Sequence, residues 1–344
     1  MTYFRAAAPT GTAPERIGVL VVNLGTPDSL SYFAVQRYLR EFLADRRVID
    51  TSRLIWLPLL YGIVLPFRPI RTLRKYRKIW MSDGSPLAVY SKRLTAKIGS
   101  VLHDSFGDRV RLELAMTYGN PSIADAIRSL AEQNVKKLLV LPLFPQYCSS
   151  TTGSVFDRTT RVLQRWRWLP ETRFVNDYYD NAGYVEALAM RIREHWVEAG
   201  ERSHLLFSYH GIPASYVADG DPYQMQAEAT TRLVASRLGL ASEEYSHCYQ
   251  SRFGSVVWLQ PYTLDTLKAL AGRGVRKLTV VSPSFAVDCL ETLEEVAIEY
   301  HGKFMELGGE RLTLVPGLND SDRHAEVLAS IVKNRLLGWT AETD

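Results

Sequence analysis

Four carboxylates stand at helical spacing in one short stretch of the sequence. The run VDCLETLEEVAIEY carries them at Asp288, Glu291, Glu295 and Glu299. On an α-helix a step of four residues advances about 400°, so the spacing predicts an acidic stripe along one face. A charge run is commonly a solvated face, yet no lysine or arginine offsets the repulsion here. A ladder of oxygen ligands is suited to passing a hard divalent cation.

A histidine ends an apolar run in the middle of the chain. His210 stands in LLFSYHGIP, followed by Gly211, which permits a tight turn, and by Pro213, which stiffens the exit. We therefore expect the imidazole at the mouth of a sheet. A single histidine is more often structural, and the position at a strand end is what favours chemistry. With an ordinary pKa of about 6.5, such a ring takes a proton or binds a metal near neutral pH.

Aromatic side chains follow three other strand-like runs. They are Tyr118 in AMTYGNPS, Tyr147 in FPQYCSSTTG and Trp258 in VVWLQP. Core packing is the default role of such residues. A flat apolar ligand would give them a second role. The SSTTG segment predicts a helix N-terminus whose amides and hydroxyls suit a carboxylate.

The elements that must position these residues alternate between strand-like and helical patterns. Apolar runs predict strands at 17–23, 111–118, 137–144, 204–209, 243–249 and 277–283. Amphipathic patterns predict helices at 31–43, 122–133, 154–166, 182–198, 222–238, 264–271, 289–307 and 323–337. Continuous apolar strands separated by helices indicate an α/β fold with parallel sheets covered on both faces.

The two halves of the chain contain similar sequence segments in the same order. Residues 19–27, VLVVNLGTP, resemble residues 205–213, LLFSYHGIP. Residues 134–144 likewise resemble residues 274–285, and an amphipathic helix precedes both. This internal similarity predicts two domains of similar topology.

We therefore expect two Rossmann-like domains, each a parallel sheet flanked by helices. They would span residues 1–170 and 171–344, and the second would carry His210 and the acidic helix. Ligands of such sheets bind beyond the carboxyl ends of the strands, which predicts a cleft between the domains. The sequence has no GxGxxG after the first strand and no GxxxxGK[ST], which argues against a nucleotide cofactor.

Composition excludes other classes of protein. The chain has 344 residues, 46% of them hydrophobic, and a net charge of +4, too mild to indicate a nucleic-acid partner. The three cysteines, Cys148, Cys248 and Cys289, lie far apart without a CxxC pair, which favours a reducing, cytoplasmic compartment. The first residues lack an apolar core, so we expect no secretory signal.

One segment complicates the cytoplasmic interpretation. Residues 54–67 read LIWLPLLYGIVLPF, and the next residues, RPIRTLRKYRK, carry six basic side chains and no acid. A spanning helix needs about 20 apolar residues, so this segment is not expected to span a membrane. It is either a buried segment followed by a solvated basic face, or an apolar lip, about residues 53–80, resting on an anionic membrane surface.

The motifs resemble, in order along the chain, those of ferrochelatases, enzymes that insert ferrous iron into a porphyrin to make haem. The matching segments are NLGTPDSL, AMTYGNPS, PQYCSSTTG, FSYHGIP, DPYQMQ, QSRFGSVVWLQPYT and FAVDCLETLEEVAIEY. The resemblance runs from about Ile17 to Leu337. Several motifs in the right order are more specific than any one of them.

The resemblance implies a fold and roles for particular residues. It implies two Rossmann-like domains with a porphyrin cleft between them. His210 would accept pyrrole protons or contact the metal, and Glu291 would be its partner as proton relay or metal ligand. The acidic row would be a metal or proton route, comprising Asp288, Glu295 and Glu299. The porphyrin would be lined by Leu24, Tyr118, Tyr147 and Trp258.

Departures from the family pattern refine these expectations. Cys289 stands where animal members have a histidine, so no role of that histidine transfers. No cysteine follows Cys289, so we expect no [2Fe–2S] cluster and no prosthetic group, with ferrous iron as a substrate. Leu24 favours protoporphyrin IX, because members that act on coproporphyrin tend to carry tyrosine there. Many bacterial members are monomeric, which favours a monomer.

Two other functions compete with this prediction. One is a chelatase for another metal or tetrapyrrole, such as cobalt or coproporphyrin, because imidazole and carboxylate ligands do not select Fe²⁺ by themselves. The other is a non-catalytic tetrapyrrole carrier. A carrier needs the aromatic residues but not His210 together with Glu291, and the presence of both favours the enzyme.

Overall fold

Two four-stranded parallel sheets form the framework of the chain. The computed structural model describes residues 15–254 and 256–340. The first sheet has the order β2-β1-β3-β4, with β1 (Arg16–Gly25), β2 (Val110–Tyr118), β3 (Val135–Pro142) and β4 (Glu171–Phe174). The second has the order β6-β5-β7-β8, with β5 (His204–His210), β6 (Tyr245–Gln250), β7 (Lys277–Val281) and β8 (Arg311–Leu314). The matching order confirms the predicted α/β fold with two similar domains.

Helices connect the strands of both sheets. Those of the first half are α1 (Tyr32–Leu43), α2 (Arg53–Leu59), α3 (Leu65–Ile79), α4 (Pro86–Phe106), α5 (Ile123–Glu132) and α6 (Ser154–Leu163). Those that follow are α7 (Ala182–Ala199), α8 (Ala214–Ala218), α9 (Tyr223–Leu238), α10 (Thr263–Gly272), α11 (His301–Glu306) and α12 (Asp322–Arg335). Three π-helices lie at Leu60–Val64, Ser149–Gly153 and Glu291–Tyr300, and a short 3₁₀ helix lies at Gly107–Arg109.

The described residues group into two units, whose bounds run differently from the expected domains 1–170 and 171–344. By proximity of the described residues, one unit draws on Met1–Leu143, Ser149–Asn176 and Asp320–Asp344. The other takes Phe144–Cys148 and Asp177–Asn319. Helix α12 therefore belongs to the first unit, where it packs against α4 and Lys97 donates to Asp322 at 2.7 Å.

The apolar lip is one helical segment of the first unit. It runs through α2, the π-helix Leu60–Val64 and α3. Trp56 and Leu60 face inward, and the Trp56 indole donates to Leu43 O at 2.7 Å. Pro69 cannot donate to Leu65 O, and that carbonyl instead accepts from Tyr32 and Gln36, at 3.3 and 3.2 Å.

This segment is longer than the apolar run alone suggested. Among the described residues, Arg53–Ile79 is the one helix whose length and composition would allow it to cross a membrane. Those two properties are weak grounds for a span, since buried helices of other proteins pass the same test. Here only 22% of its apolar window is buried, so most of that surface faces outward.

The acidic segment is a π-helix and not the α-helix that the spacing predicted. Residues Glu291–Tyr300 form it, and α11 continues it to Glu306. We call Glu291–Tyr300 the acidic helix. A π-helix bonds residues five apart and therefore turns less per residue than an α-helix. In an α-helix a step of four residues goes slightly beyond a full turn, whereas in a π-helix it stops short of one. The carboxylates four residues apart therefore do not line up along the helix as the α-helical spacing predicted.

Candidate active site

The backbone at the carboxyl end of β5 sets the position of His210. Its N–H donates to Ser284 Oγ at 3.4 Å, and its ring centroid lies 6.3 Å from that of Trp258 and 6.4 Å from that of Phe285. The segment after His210 pairs with the segment around Trp258, through Ala214 N to Val257 O at 2.9 Å. The imidazole is half-buried between two aromatic rings, at the mouth of the second sheet.

One hydrogen bond fixes the protonation pattern of the neutral imidazole. His210 Nδ1 lies 2.7 Å from Gly211 O. A carbonyl oxygen only accepts, so Nδ1 must carry the proton. The lone pair of the neutral ring is then on Nε2, which is the nitrogen that can accept a proton or contact a cation.

Glu295 is held by three donors of the same unit. Ser251 Oγ donates to Oε2 at 2.5 Å, Tyr300 OH donates to Oε1 at 2.7 Å, and Gln250 Nε2 donates to Oε2 at 3.4 Å. Burial raises the pKa of the Glu295 carboxyl, and the Glu291 carboxylate raises it further. The hydrogen bonds from Ser251 and Tyr300 oppose that rise, as does the imidazole of His210. Charges on His210 and on Glu291 therefore both affect the protonation of Glu295.

Asp288 occupies a different environment from the one predicted. It is 3% exposed, and its carboxylate accepts from Thr292 Oγ1 at 2.9 Å, Asn319 Nδ2 at 2.7 Å and Gly317 N at 3.1 Å. Burial raises the pKa of Asp288, and these three hydrogen bonds oppose the rise. The carboxylate ties the start of the acidic helix to the loop after β8. Its two oxygens thus accept hydrogen bonds from within the same unit.

The remaining carboxylates of the row become more exposed along the acidic helix. Glu291 and Glu295 are half-buried and Glu299 is exposed. Cys289 is buried, and burial raises the pKa of its thiol well above the usual range, with the hydrogen-bonded Glu291 carboxylate raising it further. The neighbour of Glu291 is therefore a neutral thiol.

The aromatic residues predicted to line a porphyrin differ in accessibility. Tyr118 has no exposed surface, its hydroxyl donates to Asp45 at 3.0 Å, and Arg158 lies 4.4 Å from its ring centroid. It packs in the core of the first unit. Leu24 is half-buried at the end of β1 in that unit. In the second unit, Tyr147 and Trp258 are half-buried, and Tyr147 N donates to Gln226 at 2.6 Å.

Three site residues carried no recognisable signal in the sequence. They are Gln250, Ser251 and Tyr300, which contact Glu295. Ser251 has a φ of +67°, a conformation that residues other than glycine rarely adopt. Their only sequence signal is that they lie in QSRFG and AIEY, which belong to two of the segments that resemble the ferrochelatase motifs.

A metal ion held by the protein needs several of its side chains grouped together. Over residues 15–254 and 256–340, no three His, Cys, Asp or Glu side chains are grouped as a metal site would require.

The fold of this chain is similar to that of solved chelatases. Two solved structures share it: SirB from Bacillus subtilis with Fe³⁺, and the sirohydrochlorin chelatase SirB from Bacillus subtilis subspecies spizizenii in complex with cobalt. The first has a TM-score of 0.56 and 13% identity, over 93% of this chain and 95% of that one. The second has a TM-score of 0.53 and 10% identity, over 93% of this chain and 94% of that one. At these identities the likeness establishes the fold alone.

Closer relatives establish the family. The ferrochelatase family model matches residues 16–336. The ferrochelatase of Idiomarina loihiensis is 45% identical over 328 residues, 95% of this chain and 90% of that protein. The ferrochelatase of Photobacterium profundum is 46% identical over 322 residues, 94% and 98% of the two chains. The chain belongs to the ferrochelatase family and is an iron-inserting lyase of haem biosynthesis. The predicted family and enzyme class are confirmed, and the alternatives are not favoured.

Proposed function

We propose that this enzyme inserts Fe²⁺ into protoporphyrin IX, releasing the two pyrrole protons and forming protohaem. The observation that carries the proposal is a half-buried imidazole in the same unit as the Glu295 carboxylate, whose pKa both His210 and Glu291 influence. His210 has its Nε2 lone pair available, and Glu295 responds electrostatically to both His210 and Glu291. Metal insertion needs a base for the pyrrole protons and an oxygen-lined approach for the cation.

His210 would accept the first pyrrole proton. The Gly211 carbonyl keeps Nδ1 protonated, so a proton taken on Nε2 gives an imidazolium that retains the same hydrogen bond. The carboxylates of Glu291 and Glu295 stabilise that positive charge. Glu295 is the further proton acceptor, because burial raises the pKa of its carboxyl and three donors keep it in place. Its oxygens are occupied by protein donors, which favours proton transfer over metal ligation.

Glu291 and Glu299 would guide the iron. Glu299 is exposed at the outer end of the acidic helix and Glu291 is half-buried at its start, so exposure decreases towards the site. Carboxylate oxygens suit a weakly held divalent cation. Asp288 is omitted from this route because its oxygens are used within the protein.

Protoporphyrin IX is proposed over coproporphyrin because of Leu24. Its apolar side chain is half-buried among the core residues of the first unit. An apolar residue at this position fits a substrate with few carboxylates. Trp258 and Tyr147 would contact the macrocycle, each with part of its ring exposed.

An anaerobic absorbance assay tests this function. Purified protein is mixed with protoporphyrin IX and Fe²⁺, and loss of free porphyrin is followed together with appearance of haem. We expect turnover by the wild type, none by His210→Ala and a strong loss in Glu291→Gln, with porphyrin binding retained by all three. Porphyrin binding without insertion by all three proteins alike would contradict the proposal, and cobalt, zinc and coproporphyrin would then be tried.

We further propose that the lip rests on the inner face of the cytoplasmic membrane without crossing it. Its outward side chains are apolar in the first half, with Leu54 89% and Phe67 66% exposed. Its second half carries exposed basic residues, including Arg71, Arg74 and Arg77. Apolar side chains followed by cations match the acyl boundary and anionic headgroups of a lipid surface. The enzyme would then be a cytoplasmic protein with peripheral membrane contact.

A further inference from the structure

We propose that Gln250 is the positioning residue that fixes the acidic helix relative to His210, an inference that rests on the proposed function. Gln250 is the last residue of β6 and is 2% exposed. Its backbone lies in register with His210 of β5, and Gly211 N donates to Gln250 O at 2.9 Å. The main chain of this residue therefore holds the strand end that carries the imidazole.

The side chain of the same residue reaches the acidic helix. Its Nε2 donates to Glu291 O at 3.0 Å and to Glu295 Oε2 at 3.4 Å. Its Oε1 accepts from Ser208 Oγ, two residues before His210, at 2.8 Å. One buried amide thus connects strand β5 to the residue that begins the helix and to the carboxylate one turn further along.

Only a glutamine amide in this orientation satisfies all of these contacts. Glu291 O and the Glu295 carboxylate accept, whereas the Ser208 hydroxyl can donate. Turning the amide over would place its oxygen against two acceptors. A glutamate would present only acceptors, and an asparagine is shorter by one methylene. The contacts therefore specify the length and the polarity of the side chain.

The expected consequence is a loss of catalytic rate and not of porphyrin affinity. Gln250 is buried behind His210 and the acidic helix, and its side-chain contacts go to Ser208, Glu291 and Glu295. A misplacement of about 1 Å can lower a rate by about 10²-fold. We expect Gln250→Glu to lower kcat by about 10²-fold, with porphyrin affinity and KM for porphyrin within about twofold of the wild type.

The experiment compares three variants with the wild type: Gln250→Glu, Gln250→Ala and Ser208→Ala. For each protein it measures kcat, KM for porphyrin, porphyrin binding by fluorescence quenching, and the midpoint of thermal unfolding. Gln224→Glu, on α9 with its amide bonded to Glu228, is the matched control and keeps the wild-type kcat. Ser208→Ala removes only the anchor of the amide and is expected to lower kcat less than Gln250→Ala. The double variant should lose no more than Gln250→Ala alone, because the two residues act as one unit.

The outcomes separate this inference from the proposed function. No insertion by the wild type contradicts the proposed function. A wild-type kcat in Gln250→Glu, or a loss of porphyrin affinity at unchanged kcat, overturns the inference alone. If neither variant of Gln250 folds, Ser208→Ala decides. A lowered kcat at unchanged porphyrin affinity then supports the positioning role, and an unchanged kcat overturns it.

Discussion

His210 and Gly211 act as a pair at the scale of single residues. The Gly211 carbonyl accepts from His210 Nδ1 and so selects the tautomer with its lone pair on Nε2. The same glycine leaves space for two neighbours. A Cβ placed there would lie 2.9 Å from Gln250 O and 3.1 Å from Trp258 Cε3. The absence of a side chain is therefore what lets Trp258 and β6 approach the imidazole.

Gly211→Ala should therefore damage the site. The added methyl group meets backbone on one side and the indole on the other, so the chain must shift. We expect stability to fall by about 1–3 kcal/mol, and kcat to fall by about 10- to 100-fold as His210 and Trp258 separate. Denaturant unfolding and the iron-insertion assay measure the two effects.

Gly272→Ala is the matched control for this change. It is the last residue of α10, and a Cβ there would have no atom within 4 Å. It should leave kcat unchanged and raise stability by about 0.4–1 kcal/mol, because alanine restricts the unfolded chain. A wild-type kcat in Gly211→Ala would mean that the close approach to Trp258 is not required for catalysis.

At the scale of elements, the two ends of the acidic row have opposite roles. Asp288→Asn removes a buried charge that three donors of the second unit share, while Glu299→Gln changes an exposed side chain. We expect Asp288→Asn to lower stability by about 1–3 kcal/mol, the cost of unsatisfied buried donors, with little change in KM for iron. Glu299→Gln should raise KM for iron at unchanged stability.

Both variants are measured by denaturant unfolding and by titration of Fe²⁺ in the insertion assay. Glu299→Gln also serves as the stability control, and Asp288→Asn as the control for iron use. A raised KM for iron in Asp288→Asn, without a loss of stability, would return this residue to the metal route. It would also mean that the hydrogen bonds to Asn319 and Gly317 are dispensable.

The packing of α9 on β6 makes stability depend on pH. His247 lies between the rings of Tyr209 and Tyr249, at 4.9 and 4.8 Å, and its Nδ1 is 2.9 Å from Thr231 Oγ1. Burial lowers its pKa from 6.5 to about 4. The unfolded chain then binds this proton at higher pH than the folded one, so stability is lost as pH falls from 6.5 towards 4. The full loss is about 3 kcal/mol.

His247→Gln should remove that part of the pH dependence. Unfolding free energies of variant and wild type are compared at steps across the window from pH 6.5 to about 4. As pH falls, the unfolding free energy of the wild type should decrease more than that of the variant. Parallel pH curves for His247→Gln and wild type would contradict the buried neutral imidazole.

The sequence predicted the central elements because burial marks them strongly. β1 and β5 are apolar runs buried along most of their length, and both were expected. β4 and β8 were missed because each has four residues and is largely half-exposed at a sheet edge, so neither shows a continuous apolar run. The helix α4 was also missed, although Ser85 caps it and proline follows.

Candidate site residues can be selected from the sequence where the residue type itself indicates chemistry. His210 and Glu291 stand in motifs at a strand end and a helix start, and both could be selected from sequence. Gln250 could not, because a glutamine in a strand has no chemical signature until its partners are known. The π-helical turn was equally inaccessible, since an α-helix and a π-helix share composition and differ only in bonding. The burial of Tyr118 depends on Asp45 and Arg158, which are distant in sequence.

At the scale of the whole molecule, charge and apolar surface are unevenly distributed. The net charge is only +4, yet six basic residues and no acid lie between Arg68 and Lys78. The outward side chains just before them are apolar, with Leu54 and Ile55 89% and 67% exposed. A protein of mild net charge can therefore bind an anionic surface through this one segment.

Vesicle binding should depend on both parts of the lip. Replacing Arg71, Arg74 and Arg77 with alanine removes three exposed cations, each worth about 1 kcal/mol at an anionic surface, so affinity should fall about 100-fold. Ile55→Glu with Phe67→Glu should abolish binding at any salt concentration, since it places charge in the acyl boundary. Sedimentation with vesicles of phosphatidylserine and phosphatidylcholine measures both, over a series of salt concentrations.

Val197→Glu is the control for the apolar change, because Val197 is 80% exposed on α7 in the other unit. It should bind vesicles as the wild type does. The wild type should lose affinity with added salt, whereas the triple alanine variant should bind weakly with little further loss, because the cations that salt screens are gone. Equal binding by all of these proteins, or no binding by the wild type, would mean that the lip does not contact lipid. Its exposed apolar surface would then need a protein partner.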